Sequence, residues 1–115
     1  MVNYVSSEEA VSIIKSGDRI FGHGSACTPN LFYDKLAKQS SHLKDVEMVS
    51  ITQQGNVEIA KSQYKDSFYV NSLFTSTPVR EAVNGENGDY VPIFLSEIPI
   101  LFKNEILPID VALIT

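Results

Sequence analysis

Apolar runs and amphipathic stretches alternate along this chain, with turn residues between them. Ala10, Val11 and Ile14 recur at helical spacing just after Ser6, and Glu9 stands three residues beyond that serine. This is a capping-box pattern, and it predicts a helix over 7–16 with Val5 and Ala10 as its staple and Gly17 as its stop. A short strand over 20–22 follows. Small residues then interrupt the pattern, and Thr28-Pro29 restarts it. Thr28 reads as an N-cap and Pro29 as a first helical residue, which has no N–H to lose. A second helix over 29–38 is predicted, with Leu31, Phe32 and Leu36 inward.

The same order then recurs. Val46, Met48, Val49 and Ile51 make a mostly apolar strand over 46–51, as expected when both faces are covered. Thr52-Gln53-Gln54-Gly55-Asn56 forms a second polar loop, and 57–61 adds a helical turn. A strand over 68–74 runs into Thr75-Ser76-Thr77-Pro78, again hydroxyls, a Thr cap and a Pro. The helix over 78–84 turns Val79, Ala82 and Val83 inward and stops at Gly85. A strand over 90–94, a helix over 97–104 capped by Ser96 and a strand over 109–115 complete the series. Pro99 is tolerated in that helix because it falls in the first turn. Strands alternating with helices predict an α/β fold, an open parallel or mixed sheet with helices on both faces. The apolar run over 109–115 reads as a central strand with no helix after it, so the fold is expected to be incomplete and the chain the amino-terminal piece of something longer. A sheet whose last strand is its C-terminus is the alternative.

Composition narrows the function. With 115 residues, 43% of them hydrophobic and 20% charged, the chain fits one ordinary globular domain. The net charge is −5 and the nine Lys and Arg do not cluster, which disfavours nucleic acid as a partner. The one cysteine, Cys27, has no internal disulfide partner and suggests a reducing compartment. Residues 1–4 show neither the basic start nor the apolar core of a signal peptide, and no apolar run is long enough to span a bilayer. The cytoplasm is the expected location, with no membrane partner.

Candidate chemistry sits in the loops after the strands. Gly22, His23, Gly24 and Ser25 follow the first strand and precede a helix. The glycines permit close approach to the main chain, and free N–H groups there suit an anion; a plain tight turn is the alternative. Thr52, Gln53, Gln54 and Gly55 close the second strand. Their amides and hydroxyls suit a substrate carboxylate without burying a charge, or else form a solvated loop. His23 is a surface or packed histidine unless it serves as a supporting donor. Cys27 precedes a helix start but has no identifiable base, since His42 lies in a distant turn. Two histidines and one cysteine at these spacings do not make a metal site. Glu97 reads as a first-turn acid favoured by the helix dipole, and Tyr64, Tyr69 and Tyr90 as core or interface aromatics.

Several short motifs, taken in order, resemble the amino-terminal domain of the acetyl-CoA hydrolase/transferase family. They are Glu9-Ala10-Val11, Lys15 through Ile20, Gly22-His23-Gly24 with Pro29 and Leu36, and Phe74-Thr75-Ser76. The most specific are Asp89-Tyr90-Val91-Pro92-Ile93-Phe94, Glu97-Ile98-Pro99 and Ile109-Asp110-Val111-Ala112. The resemblance covers essentially the whole chain and implies a CoA-transferase-like α/β fold. It implies a homo-oligomeric parent enzyme with two such domains and the active site between them. That enzyme would move CoA from an acyl-CoA to a short-chain carboxylate such as acetate, butyrate or 4-hydroxybutyrate. The CoA thioester would be a substrate, and no covalently bound cofactor is implied. A glutamate would attack the thioester and carry CoA as a glutamyl thioester. That glutamate and the CoA-binding segment belong to the carboxy-terminal domain, absent here, so no catalytic residue is expected in this chain. An acyl-CoA hydrolase of the same fold is one alternative. Others are a non-catalytic small-ligand-binding α/β module and a structural or regulatory paralogue. Against a dinucleotide module, Cys27 stands where the third glycine of that fingerprint belongs.

Overall fold

The computed structural model describes residues 1–115. Five strands form one sheet in the order β4-β3-β2-β1-β5: β1 is Arg19–Gly22, β2 Val46–Ser50, β3 Phe68–Ser72, β4 Gly88–Tyr90 and β5 Val111–Leu113. Every pairing is parallel, which settles the choice between a parallel and a mixed sheet. The helices are α1, Ser7–Val11; α2, Asn30–Lys38; α3, Arg80–Asn84; and α4, Ile98–Lys103. Six short 3₁₀ turns fill the connections, among them Ser25–Cys27, Glu58–Ala60 and Thr77–Val79. No helix is long and apolar enough to cross a membrane.

The two faces of the sheet are unlike. On one face Ile20, Val46, Met48, Phe68, Val70 and Leu113 meet Val11, Tyr33, Leu36 and Ala82 in the main core. Helices α1, α2 and α3 therefore cover that face. The other face holds a small cluster of Val49, Leu73 and Ile98, under α4 alone. There Phe21 of β1 meets Phe102 edge to face, with ring centroids 5.5 Å apart. Val91, Ile93, Leu107 and Ile109 also pack on that cluster, and beside it the face carries a polar ladder. Arg19 Nε donates to Glu47 at 2.7 Å, Asn71 Nδ2 donates to the other carboxylate oxygen at 2.8 Å, and Arg19 Nη1 donates to Pro108 O at 3.2 Å. Adjacent parallel strands bring these residues together, so β2 carries a glutamate within its apolar run.

Several boundaries differ from the sequence expectation. Helix α1 stops at Val11, because Ser12 folds its hydroxyl back onto Glu9 O at 2.6 Å. Ser6 does cap it, accepting from Glu9 N at 3.1 Å, but Val5 is exposed and no staple forms. Gly17 (φ +85°) instead makes the turn into β1, where a side chain would be strained. Helix α2 buries Tyr33, Leu36 and Ala37 and leaves Leu31 exposed, since Leu31 falls off the i, i+3, i+4 stripe. Thr28 does not cap that helix; its hydroxyl donates to Ser25 O at 2.7 Å. Ser96 makes no cap bond either. Strand β4 lies earlier than expected: Val91 N still donates to Ser72 O, and the chain then leaves the sheet so that Val91 and Ile93 pack on the small cluster. Among these five strands β5 is the last, beside β1, with Ala112 exposed.

Gly88 sets how closely β4 approaches α3. A Cβ there would stand 2.7 Å from the Ala82 carbonyl carbon, a main-chain atom that cannot swing aside. Gly88→Ala is expected to cost about 1–3 kcal/mol by overpacking. Urea unfolding checks this, and an unchanged midpoint would refute the close approach.

Three surface carboxylates lean on lysines. Glu8 of α1 is drawn to about 2 chiefly by its hydrogen bond to Lys35 of α2. Glu58 and Glu86 are lowered by hydrogen bonds to Lys61 and Lys65. A carboxylate whose folded pKa is depressed stabilises the fold above its unfolded value, and loses that contribution as pH falls through the folded value. Stability is therefore expected to decline from about pH 4.5 toward pH 2. The loss should be small and weaker at high salt, because all three carboxylates are solvent-screened. Urea midpoints across that range, with and without added salt, test the sign.

Candidate functional site

Parallel strands in near register deliver their loops to one place. Gly22 pairs with Ser50, and Ser50 with Ser72, so β1, β2 and β3 end side by side. The loops over 23–25, 52–55 and 75–77 therefore share one rim at the strands' carboxyl ends. After β1 the chain steps to β2 on one side, while β5 returns on the other. In open α/β sheets the crevice at such a reversal is the usual ligand site. His23 lies there: its N–H donates to Leu113 O at 3.0 Å, and Nδ1 sits 3.1 Å from Thr115 O.

Gln53 ties the rim together from inside. Its side chain is fully buried, with Oε1 accepting from the Tyr33 hydroxyl at 2.7 Å. Nε2 donates to His23 O at 3.0 Å, with Thr52 O at 3.3 Å and Gly22 O at 3.5 Å also within reach. Its main chain is gripped by Ser76, whose hydroxyl accepts from Gln53 N at 2.9 Å and donates to Gln53 O at 2.8 Å. Thr28 Oγ1 accepts from Gln54 N at 3.0 Å, and Ser25 N donates to Thr52 O at 2.8 Å. Burial pushes the Tyr33 phenol well above its ordinary pKa, so it remains a donor.

The predicted residues thus divide by role. Gly22 is buried, and the space of a Cβ there is taken by Tyr33, whose hydroxyl would lie only 1.8 Å away; this glycine makes room for the protein's own phenol. A Cβ on Gly24 would meet Thr52 O at 3.0 Å, so its bareness lets two loops touch. The Gly24 N–H makes no hydrogen bond within the chain, nor do those of Thr75 and Ser76. Ser25, Gln54 and Gly55 are exposed, while His23, Gly24 and Thr52 are half-buried. A shallow cleft of about 470 Å³ runs between the second and third loops, lined by Thr52, Gln53, Gln54, Gly55, Ser76 and Thr77 with Pro78. No charged side chain lines it. A second cavity of about 490 Å³ adjoins the rim at Thr75, between Phe74, Arg80 and Tyr90. Cys27 is half-buried before α2, whereas His42 is exposed ahead of β2, at the opposite ends of the strands. Glu97 is exposed, and its carboxylate accepts from Phe94 N at 3.4 Å. Tyr64 packs on the core, while Tyr69 and Tyr90 are exposed.

Tyr33 and Ser76 are the rim residues that sequence reasoning missed. The available signals were a bare Gly22 opposite an aromatic on α2, and a serine at the matching place in the third loop.

An all-parallel sheet with helices on both faces and polar loops gathered at one rim makes this an open-sheet α/β domain. The chain belongs to the acetyl-CoA hydrolase/transferase family, whose N-terminal domain model matches residues 2–115. It is 36% identical over 111 residues to a succinyl-CoA:acetate/propanoyl-CoA:succinate CoA transferase of Fasciola hepatica, covering 95% of this chain and 23% of that protein. It is 36% identical over 110 residues to the 4-hydroxybutyrate coenzyme A transferase of Clostridium kluyveri, covering 96% and 26%. The chain thus spans about a quarter of the length of these curated relatives. The crystal structure of RipA from Yersinia pestis shares the fold, with a TM-score of 0.81 at 22% identity, over 96% of this chain and 28% of that one.

Tyr33→Phe strands a buried amide oxygen and is expected to cost about 1–3 kcal/mol. Gly22→Ala should cost more in the native background than beside Tyr33→Phe, because the second change removes the atom it strikes. A double-mutant cycle by urea unfolding checks this. Strict additivity would show that the two sites do not meet.

Proposed function

We propose that this chain is the amino-terminal part of a CoA-transferase, forming one wall of the cleft where CoA passes from an acyl-CoA to a short-chain carboxylate. Acetate, butyrate and 4-hydroxybutyrate are the acceptor types proposed. The observation that carries the reading is the uncharged rim. Thr52, Gln54 and Thr77 offer hydroxyls and an amide beside the cleft, and Gly24 offers a free N–H. Such groups can hold carboxylate or thioester oxygens without burying a countercharge. Relatives named as CoA transferases support the same reading.

In this proposal the chemistry belongs to a glutamate in a carboxy-terminal domain outside these residues. Its carboxylate attacks the thioester carbonyl, the C–S bond breaks and CoA leaves as thiolate, giving a mixed anhydride. The thiolate then attacks the glutamyl carbonyl and releases the donor's carboxylate. The acceptor carboxylate enters by the reverse steps, so no redox partner or covalent cofactor is needed. The present chain contributes orientation of the acyl and carboxylate groups at the rim. The second reading is hydrolysis, because the family description names hydrolases as well as transferases; water would then replace the acceptor.

The purified 115-residue chain is expected to show no CoA exchange between acetyl-CoA or butyryl-CoA and short carboxylates. A longer protein with these residues at its amino terminus should exchange CoA and accumulate a glutamyl thioester that borohydride reduces. Turnover by the short chain would overturn the placement of the nucleophile. Thioester loss that needs no carboxylate would select the hydrolase.

A further inference from the structure

We propose that Gln53 is a positioning residue, which sets the mutual placement of the three rim loops by clasping them from the buried side. The inference deepens the reading of the rim as a substrate wall and rests on it. Three observations carry it. First, Gln53 lies inside a loop otherwise exposed at Gln54 and Gly55, yet its own side chain is fully buried. A buried amide is held there only if its polar atoms are matched. Second, its partners come from separate parts of the chain: His23 O from the first loop, the Tyr33 hydroxyl from α2 and the Ser76 hydroxyl from the third loop. Third, Ser76 both accepts from and donates to the main chain of Gln53, a two-point grip that fixes orientation as well as distance. The neighbours of these two residues, Gln54 and Thr77, face the cleft. Gln53 and Ser76 reach the same cleft, but the Gln53 side chain turns inward, so the clasp governs what the cleft presents.

Gln53→Glu is the sharp test. It retains an acceptor for Tyr33 but replaces the donor toward His23 O with a second acceptor, so the first and second loops repel at neutral pH. Amide exchange in the 115-residue chain, corrected for intrinsic rates, reads the effect at Ser25 and Gln54, whose N–H groups bond across loops. Exchange at both is expected to rise about tenfold at pH 7, with Met48 in the interior of β2 following only global stability. Lowering the pH until the introduced acid protonates restores a donor and should reverse the effect. Ser76→Ala, at a half-buried site, loosens the grip between the second and third loops without introducing a charge. It should speed exchange at Gln54 about tenfold, and it decides the matter if Gln53→Glu does not fold. Loop exchange that simply tracks Met48 in the folded variants would overturn the clasp. In the longer protein, Ser76→Ala should raise KM for the carboxylate more than it lowers kcat. Loosened loops with an unchanged KM would instead sink the assignment of the rim to substrate.

Discussion

An amide placed in a protein interior is costly unless its polar atoms find partners. Gln53 meets that condition through His23 in the loop after β1 and Tyr33 on α2, while Ser76 in the loop after β3 holds its main chain. Much else follows from it. Gly22 is bare because the Tyr33 phenol needs the room. Tyr33 is buried on α2 because its hydroxyl has Gln53 to serve, and Ser76 leaves its helix uncapped because its hydroxyl is engaged with Gln53. The rim is ordered from beneath, and no charged side chain lines the cleft between its second and third loops.

That arrangement depends in turn on parallel register. Antiparallel neighbours would send alternate loops to opposite edges. Here Gly22, Ser50 and Ser72 end level, so polar segments far apart in sequence converge. The reversal between β1 and β5 adds the His23 corner to the same rim. Family membership fits this geometry, because the chemistry proposed needs a wall that orients oxygens without charge.

The sheet's two faces carry different kinds of cohesion. One is a continuous apolar core under three helices; the other combines a small cluster under α4 with the ladder Arg19–Glu47–Asn71. A partly exposed ion pair of this kind adds little energy by itself. Its value lies in pairing Arg19, Glu47 and the Asn71 amide nitrogen on a half-covered face, although Asn71 Oδ1 is left without a partner.

Local signals carried the alternation of elements, the stop at Gly85, the Ser6 cap and the family motifs, because each depends on neighbours within a few residues. They also placed the polar loops after the strands. They misjudged where pairing and packing over long distances decide. The length of α1 was settled by Ser12 bonding backward, and the inward face of α2 by Tyr33 meeting Gln53, not by Leu31. The place of β5 beside β1 was settled by their parallel pairing. Which member of Thr52-Gln53-Gln54-Gly55 turns inward could not be read from composition, because Gln53 and Gln54 are chemically identical. Only the fold, by bringing a phenol and a carbonyl to one of them, made the first a clasp and left the second facing the cleft.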